Sequence, residues 1–312
     1  MEHILNKLLF ITGVNGFTGR SLCSMLAESI CVRGMDINVP VNNHIVKTEA
    51  CDIRDIENLP LIMDKYRPDI VYHFAGILKS PRIQDFYDVN INGTLNLFES
   101  LAKTCLKPVV LIPSSSAVYG AGYGGNPISE DFSPRPVTHY GVSKLAQEAV
   151  ALRYYYAEQI PVICTRTFNL LGPWLPDSMA CSAFAKQIVF CEKSGKKGIV
   201  EVGNLDAMRD FTDVRDAVRA YMLLAEKGRP GTVYNICSEK AVSIGDCLDI
   251  LIKEARVKID LKRSPSRIQF NDVPKQVGNA EKLKNLTGWE PEISIEKSLK
   301  DLLNYWRNSE SL

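Results

Sequence analysis

No C-x-x-C pair occurs among the nine cysteines of this chain, and its four histidines offer no zinc-ligand spacing. The cysteines (Cys23, Cys31, Cys51, Cys105, Cys164, Cys181, Cys191, Cys237 and Cys247) are odd in number. Most sit inside apolar runs such as Val162-Ile163-Cys164. That pattern reads as small buried hydrophobes in a reducing compartment, not as a disulfide framework. An excess of either charge is also missing. Lys+Arg 37 against Asp+Glu 36 leaves a net charge of +1, so no global field attracts nucleic acid or an anionic membrane. No window approaches the roughly 18–20 consecutive apolar residues of a membrane helix. The first apolar stretch, Leu8 to Ile11, runs into a glycine turn without a small-residue cleavage site, which reads as a strand and not a signal peptide. A cytoplasmic protein is expected. With 46% hydrophobic residues in 312, disorder as the main state is excluded.

The chain carries instead an alternation of short β-branched runs and longer helical patterns. Strands are expected at Leu8–Thr12, Ile30–Asp36, Ile45–Cys51, Ile70–Phe74, Val109–Pro113 and Val162–Thr167, with helices at Thr18–Glu28, Ile56–Tyr66, Val89–Cys105 and Tyr140–Glu158. Such alternation implies parallel strands joined by right-handed crossovers, and runs such as Val109-Val110-Leu111-Ile112 fit a sheet buried on both faces. From about Leu170 the rhythm changes. Gly172–Pro176 is a loop and Gly195–Gly198 a polar turn; helices are expected at Phe184–Lys193, Val214–Glu226, Ile244–Ala255 and Ile295–Trp306, a strand at Val233–Cys237, and a basic loop around Lys262–Arg267. The fold class is α/β: a Rossmann-type doubly wound parallel sheet with a smaller interleaved C-terminal α/β substrate domain. Residues 1–169 and about 206–238 are expected to form the nucleotide-binding domain, and 170–205 and 239–312 the second.

Three constellations carry chemistry. Gly13-Val14-Asn15-Gly16-Phe17-Thr18-Gly19 joins the first strand to the first helix, where glycines permit a tight turn and close approach of a pyrophosphate to a helix N-terminus. Asp36 ends the second strand. Its carboxylate suits two ribose hydroxyls and repels a 2′-phosphate, so NAD(H) is preferred over a possible NADP(H); otherwise it is a solvated strand-end acid. Arg33, three residues earlier, falls on the opposite face. Asp52-Ile53 is placed beside the adenine, Asp52 otherwise capping the helix from Ile56. The third constellation is Tyr140-x-x-x-Lys144 on one helix with Ser114-Ser115-Ser116 upstream. An ammonium one turn from a phenol favours the phenolate, lowering its pKa from about 10 towards working pH. A serine hydroxyl at the preceding strand end adds a second hydrogen bond to a carbonyl oxygen.

With these motifs in this order the sequence resembles the extended short-chain dehydrogenase/reductases that act on nucleotide sugars. The matching segments are Thr12–Gly19, His73-Phe74-Ala75-Gly76, Asn90-Ile91-Asn92-Gly93-Thr94, Ser114–Gly120, Tyr140–Lys144, Arg166–Pro173 and Arg209–Val214. Val202–Asp210, Phe184–Ile188 and Val233–Cys237 look like the GDP-mannose 4,6-dehydratase branch, and within it the 4-keto-6-deoxy-mannose reductases. The resemblance implies Ser115, Tyr140 and Lys144 as catalytic residues. It adds Phe74, Ala75, Gly76 and Phe168 to the cofactor site. Ser115, Ser116, Asn169, Lys186 and Arg209 are implied for the substrate, the last three near its phosphates. Each has a structural alternative: a capping Asn169, a solvated Lys186, an Arg209–Asp213 surface pair.

Two departures stand against the resemblance. Dehydratases carry a glutamate just after the catalytic Ser/Thr, where this chain has Ser116 and Ala117, so dehydration is disfavoured. The family's late Arg-Pro-x-Glu/Asp-Val segment stands here as Gln269-Phe270-Asn271-Asp272-Val273-Pro274, with Arg263 and Arg267 nearby, which leaves the nucleotide base open. The expected activity is reduction of the C4 ketone of a nucleotide-linked 4-keto-6-deoxyhexose. A 4-epimerase with tightly held NAD is the alternative, favoured by Asp36 and the serine-rich strand. A non-catalytic dinucleotide-binding module is disfavoured because both Tyr140 and Lys144 are present. The resemblance further implies a homodimer through a four-helix interface built from Val89–Cys105 and Tyr140–Glu158.

Overall fold

Alternating burial along the apolar strands sets the architecture. In β1 (Leu8–Thr12), Leu9 and Ile11 enter one buried cluster and Phe10 the other. In β5 (Val109–Ser115), Leu111 joins the first, and Val110 and Ile112 the second. A sheet with apolar residues on both faces must be covered on both. A computed structural model, describing residues 6–26, 30–39, 46–121, 126–195, 197–267 and 273–309, shows that it is.

After β1 come α1 (Phe17–Met25), β2 (Cys31–Asp36), β3 (Lys47–Ala50), α2 (Asn58–Tyr66), β4 (Ile70–His73) and the short α3 (Ile83–Phe86). A π-helical turn, Tyr87–Asn92, leads into α4 (Gly93–Lys103), then β5 and a 3₁₀ turn, Ser116–Tyr119. Next are α5 (His139–Glu158), β6 (Val162–Thr167), β7 (Asn169–Leu171), α6 (Ala180–Ser194), β8 (Gly198–Val202), β9 (Met208–Asp213) and α7 (Val214–Lys227). The chain continues through β10 (Thr232–Ile236), β11 (Ala241–Ser243), α8 (Ile244–Lys253), β12 (Ile259–Arg263), β13 (Lys275–Gln276), α9 (Glu281–Thr287) and α10 (Ile295–Arg307).

Seven parallel strands form the large sheet in the order β3-β2-β1-β4-β5-β6-β10, the doubly wound Rossmann arrangement with one strand added. Leu22 of α1, Val218 of α7 and Leu283 of α9 cover one face. Leu59 of α2, Phe98 of α4 and Tyr154 of α5 cover the other. A third cluster, with Phe184 and Ile188 of α6, Leu248 of α8 and Leu299 and Trp306 of α10, is the core of the smaller part.

Three expectations are corrected. The helix expected over Val89–Cys105 is two pieces, the π turn and α4. Lys262 and Arg263, expected in a basic loop, lie on β12, which pairs in parallel with β8. Charged and exposed residues on this two-stranded ribbon hide the strand signal. Strand β9, within the stretch 206–238 expected to return to the large sheet, instead pairs with β7, β11 and β13; α7 and β10 do return. Because the strands are parallel, the carboxyl ends of β1, β2, β4, β5 and β6 share one edge of the sheet, and strand order reverses between β1 and β4.

Candidate active site

Gly13 begins the turn after β1 with φ +68°, and a Cβ there would lie 2.7 Å from the Ala75 nitrogen. Only glycine lets this turn press against the exit of β4. Gly16 caps α1 with backbone alone, and no acidic residue occupies the first turn. The N–H groups of Phe17, Thr18 and Gly19 are therefore left for an external acceptor, which fits a dinucleotide pyrophosphate. Asp36 reaches the same turn: its Oδ2 accepts from the Asn15 amide at 2.9 Å and its Oδ1 from Asn38 at 3.0 Å. Arg33 bonds back to the Val32 carbonyl.

At the end of β5, Ser115 Oγ accepts from the Ala117 amide at 3.1 Å and so starts the 3₁₀ turn. Thr138 caps α5, and a Cβ on Gly141 would lie 2.6 Å from the Ala117 carbonyl oxygen. The bare glycine lets α5 start against that turn, bringing the Tyr140 hydroxyl close enough to Ser115 to be influenced by it. Burial raises the Tyr140 pKa and the Ser115 contact partly lowers it. Lys144, on the same helix, is buried and donates to the Gln147 side-chain oxygen. Burial pushes its ammonium down to about 8, against the attraction of Glu148. The expectation that Lys144 depresses the Tyr140 phenol is thus not met in this state. The ammonium is tied to Gln147, and burial dominates the phenol. Tyr140 stands as a protonated acid at neutral pH.

The proposed substrate residues are differently disposed. Ser116 is buried and donates to Gln276 Oε1 at 2.8 Å, while Gln276 Nε2 donates to the Ser116 and Gly120 carbonyls at 2.9 Å each. Its hydroxyl is a clamp between β13 and the 3₁₀ turn that follows Ser115. Asn169 is half-buried at the head of β7. Arg209, half-buried on β9, bonds the carbonyls of Met208 (2.9 Å) and Val273 (2.6 Å), while Asp213 holds Arg215 instead. Lys186 is paired with Asp177 at 2.7 Å and lies 5.1 Å from the Trp306 ring centre. It borders a groove of about 490 Å³ with Gln187, Phe190, Ile199, Glu201 and Lys262. Gln269, Phe270, Asn271 and Asp272 lie outside the described residues.

Among the other cofactor candidates, Phe74, Ala75 and Gly76 follow β4 directly beside the glycine turn. Ile53 is buried against Gly93, and Phe168 is buried beside the Tyr119 ring and Gly278. Asp52 binds the Arg54 amide and guanidinium; the cap expected of it is provided by Asp55, which accepts from the Glu57 and Asn58 amides.

Sequence reading gave no role to His73, Asn90, Thr94, Gln147 or Gln276. Asn90 donates to Ser143 Oγ at 2.9 Å, and Ser143 donates to the Tyr140 carbonyl at 2.8 Å. Asn90 also grips Ile77 through both amide atoms. The π turn that presents it is a feature frequent at functional sites. The available signal was the Asn90–Thr94 run itself, and Gln147 at three residues from Lys144.

Compared with known proteins, residues 10–302 match the family described as GDP-mannose 4,6 dehydratase. The chain is 32% identical to the GDP-6-deoxy-D-mannose reductase of Pseudomonas aeruginosa, covering 97% of this chain and 98% of the relative. It is 29% identical to the GDP-6-deoxy-D-talose 4-dehydrogenase of Aggregatibacter actinomycetemcomitans, covering 90% and 91%. A solved structure of RMD from Pseudomonas aeruginosa complexed with NADPH superposes with a TM-score of 0.83 at 31% identity, covering 97% of this chain and 99% of the other.

Proposed function

The chain belongs to the GDP-mannose 4,6-dehydratase family, within the extended short-chain dehydrogenase/reductases, and from that premise we propose that it reduces the C4 ketone of a nucleotide-linked 4-keto-6-deoxyhexose. It is an NAD(P)-dependent oxidoreductase of nucleotide-sugar type. The observation that carries the finer reading is the Ser115–Tyr140 hydroxyl pair with no carboxylate in the two positions after Ser115. Ser116 is committed to Gln276, and Ala117 has no acid to remove a C5 proton. A phenol kept protonated by burial is suited to give a proton to an oxygen that has just received a hydride.

The reduced nicotinamide, when bound, supplies that hydride. Ser115 orients the C4 oxygen, and Tyr140 protonates it as the alcohol forms. Lys144 holds the nicotinamide-side ribose. The amides of Phe17, Thr18 and Gly19 take the pyrophosphate, and Asp36 the adenine ribose, with NAD(H) preferred. Arg209, Lys186 and Asn169 hold the diphosphate of the sugar nucleotide, and GDP is the nucleotide the named relatives favour. The assembly is a homodimer through α4 and α5, whose Leu95, Val142 and Tyr156 are exposed. Its nine cysteines, none paired in a disulfide, suit the cytoplasm. Replacing Tyr140 by Phe should leave cofactor binding intact and abolish turnover; turnover equal to that of the unaltered enzyme refutes the assignment.

A further inference from the structure

A line of buried side chains crosses the large sheet between the glycine turn and Lys144, and the direction of every hydrogen bond in it is fixed by what each group can donate. Lys144 can only donate, so Gln147 Oε1 accepts, which turns Gln147 Nε2 towards Thr94 Oγ1 at 2.7 Å. The single Thr94 proton goes to the Asn90 carbonyl at 2.7 Å. Thr94 Oγ1 must then accept from His73 Nε2 at 2.9 Å. The Ala75 amide donates to Thr12 Oγ1 at 3.1 Å, and Thr12 in turn donates to His73 Nδ1 at 2.7 Å. Thr12, His73, Thr94 and Gln147 are at most 1% exposed, and each of these contacts spans 53 to 63 residues of sequence or joins a helix to a strand exit, except the local Lys144–Gln147 and Thr94–Asn90 bonds.

We propose that His73, Thr94 and Gln147 are positioning residues for Lys144, setting its ammonium relative to the Thr12–Gly13 turn and so fixing the spacing between the two ends of the dinucleotide site. Several observations support a functional, not merely stabilising, role. The chain begins at Ala75, whose nitrogen is the atom a Gly13 side chain would strike. It ends on a buried ammonium with two further protons for ligand. A hydrophobic core could fill the same space with no polar atoms, and each unpaired member would carry a desolvation cost. Burial, with the nearby Lys144 charge, holds His73 neutral, its pKa pushed down to about 3. The network therefore keeps one pattern of donors across the neutral range. The proposal rests on Lys144 serving the dinucleotide, as the proposed function has it.

The test uses the intact protein, labelled with ¹⁵N at histidine. His73 should show Nε2–H alone and should not titrate from about pH 5 to about pH 9, unlike a free imidazole. Thr94→Val and Gln147→Leu should each lower kcat roughly ten- to hundred-fold with the KM of the nucleotide sugar little changed. Both should weaken binding of the reduced dinucleotide, followed by its fluorescence. Gln147→Glu, which retains an oxygen for Lys144 but cannot donate to Thr94, should recover only part of the loss. A His73 found as Nδ1–H or titrating normally overturns the proposal. So do folded Thr94→Val and Gln147→Leu proteins with unaltered kcat and cofactor affinity. The spectra and cofactor binding need no sugar substrate, so they decide this inference even if the proposed reaction fails.

Discussion

Arg166 lies across Glu148 as a bidentate ion pair, Nε 3.1 Å from one carboxylate oxygen and Nη2 2.9 Å from the other. Both side chains are buried, and the guanidinium also sits 4.9 Å from the Tyr119 ring centre. The pair ties β6 to α5 one turn beyond Lys144. Arg166→Met alone leaves a buried carboxylate without its partner and should cost about 3–5 kcal/mol in urea unfolding. Arg166→Met combined with Glu148→Met should recover much of that. A single-variant loss below about 1 kcal/mol contradicts a buried pair.

The same carboxylate bears on catalysis. Lys144 titrates near 8 because burial disfavours its ammonium, and Glu148 opposes that shift. If the charged lysine serves the cofactor, kcat/KM should fall above about pH 8, since that ratio reports groups of the free enzyme. Glu148→Gln removes the opposing charge and should move the alkaline limb to lower pH. The folded pKa lies below the unfolded one, so between about 8 and 10.5 the unfolded chain binds more protons, and this group makes stability rise with pH across that window. An alkaline limb unmoved by Glu148→Gln contradicts the assignment.

Asp36 should set cofactor choice. Its carboxylate is anchored by the Asn15 and Asn38 amides at the mouth of the glycine turn. NADH should bind more tightly than NADPH, and Asp36→Ala should narrow or reverse the ratio by about ten-fold or more, one charge contact at close range. Equal affinity of the unaltered protein for both cofactors, or a ratio that Asp36→Ala leaves alone, contradicts this role.

Arg209 and Lys186 separate under the same logic. Arg209 is braced by two carbonyls, and Lys186 already holds an exposed aspartate. Arg209→Met should weaken nucleotide-sugar binding by roughly ten-fold or more, and Lys186→Met by less, because an exposed pair contributes little. Calorimetric titration with a nucleoside diphosphate measures both; the opposite ranking contradicts the placement.

How much of this was legible in the sequence depended on locality. β1, β5 and β6 were readable because each is buried on both faces and opens with an apolar run, Leu8–Ile11, Val109–Ile112 and Val162–Cys164. β8 and β12 were not: Ile199 and Leu261 are exposed, and charges interrupt the pattern on a ribbon with one partner strand. β7, with three residues, and β13, with two, are too short to show a period. Tyr140 and Lys144 were legible through helical spacing. The state of the pair was not, because Gln147 and burial decide it, and Gln147 takes its place from Thr94, 53 residues away.

The most direct measurement of the central claim is the reaction of the purified protein with GDP-linked 4-keto-6-deoxymannose and NADH or NADPH, followed by loss of reduced-nicotinamide absorbance and by NMR of the sugar. One reduced cofactor should be consumed for each C4 alcohol formed, and Tyr140→Phe should consume none. No consumption, with stoichiometric NAD retained through gel filtration and C4 epimers of a nucleotide sugar interconverted, would contradict the account.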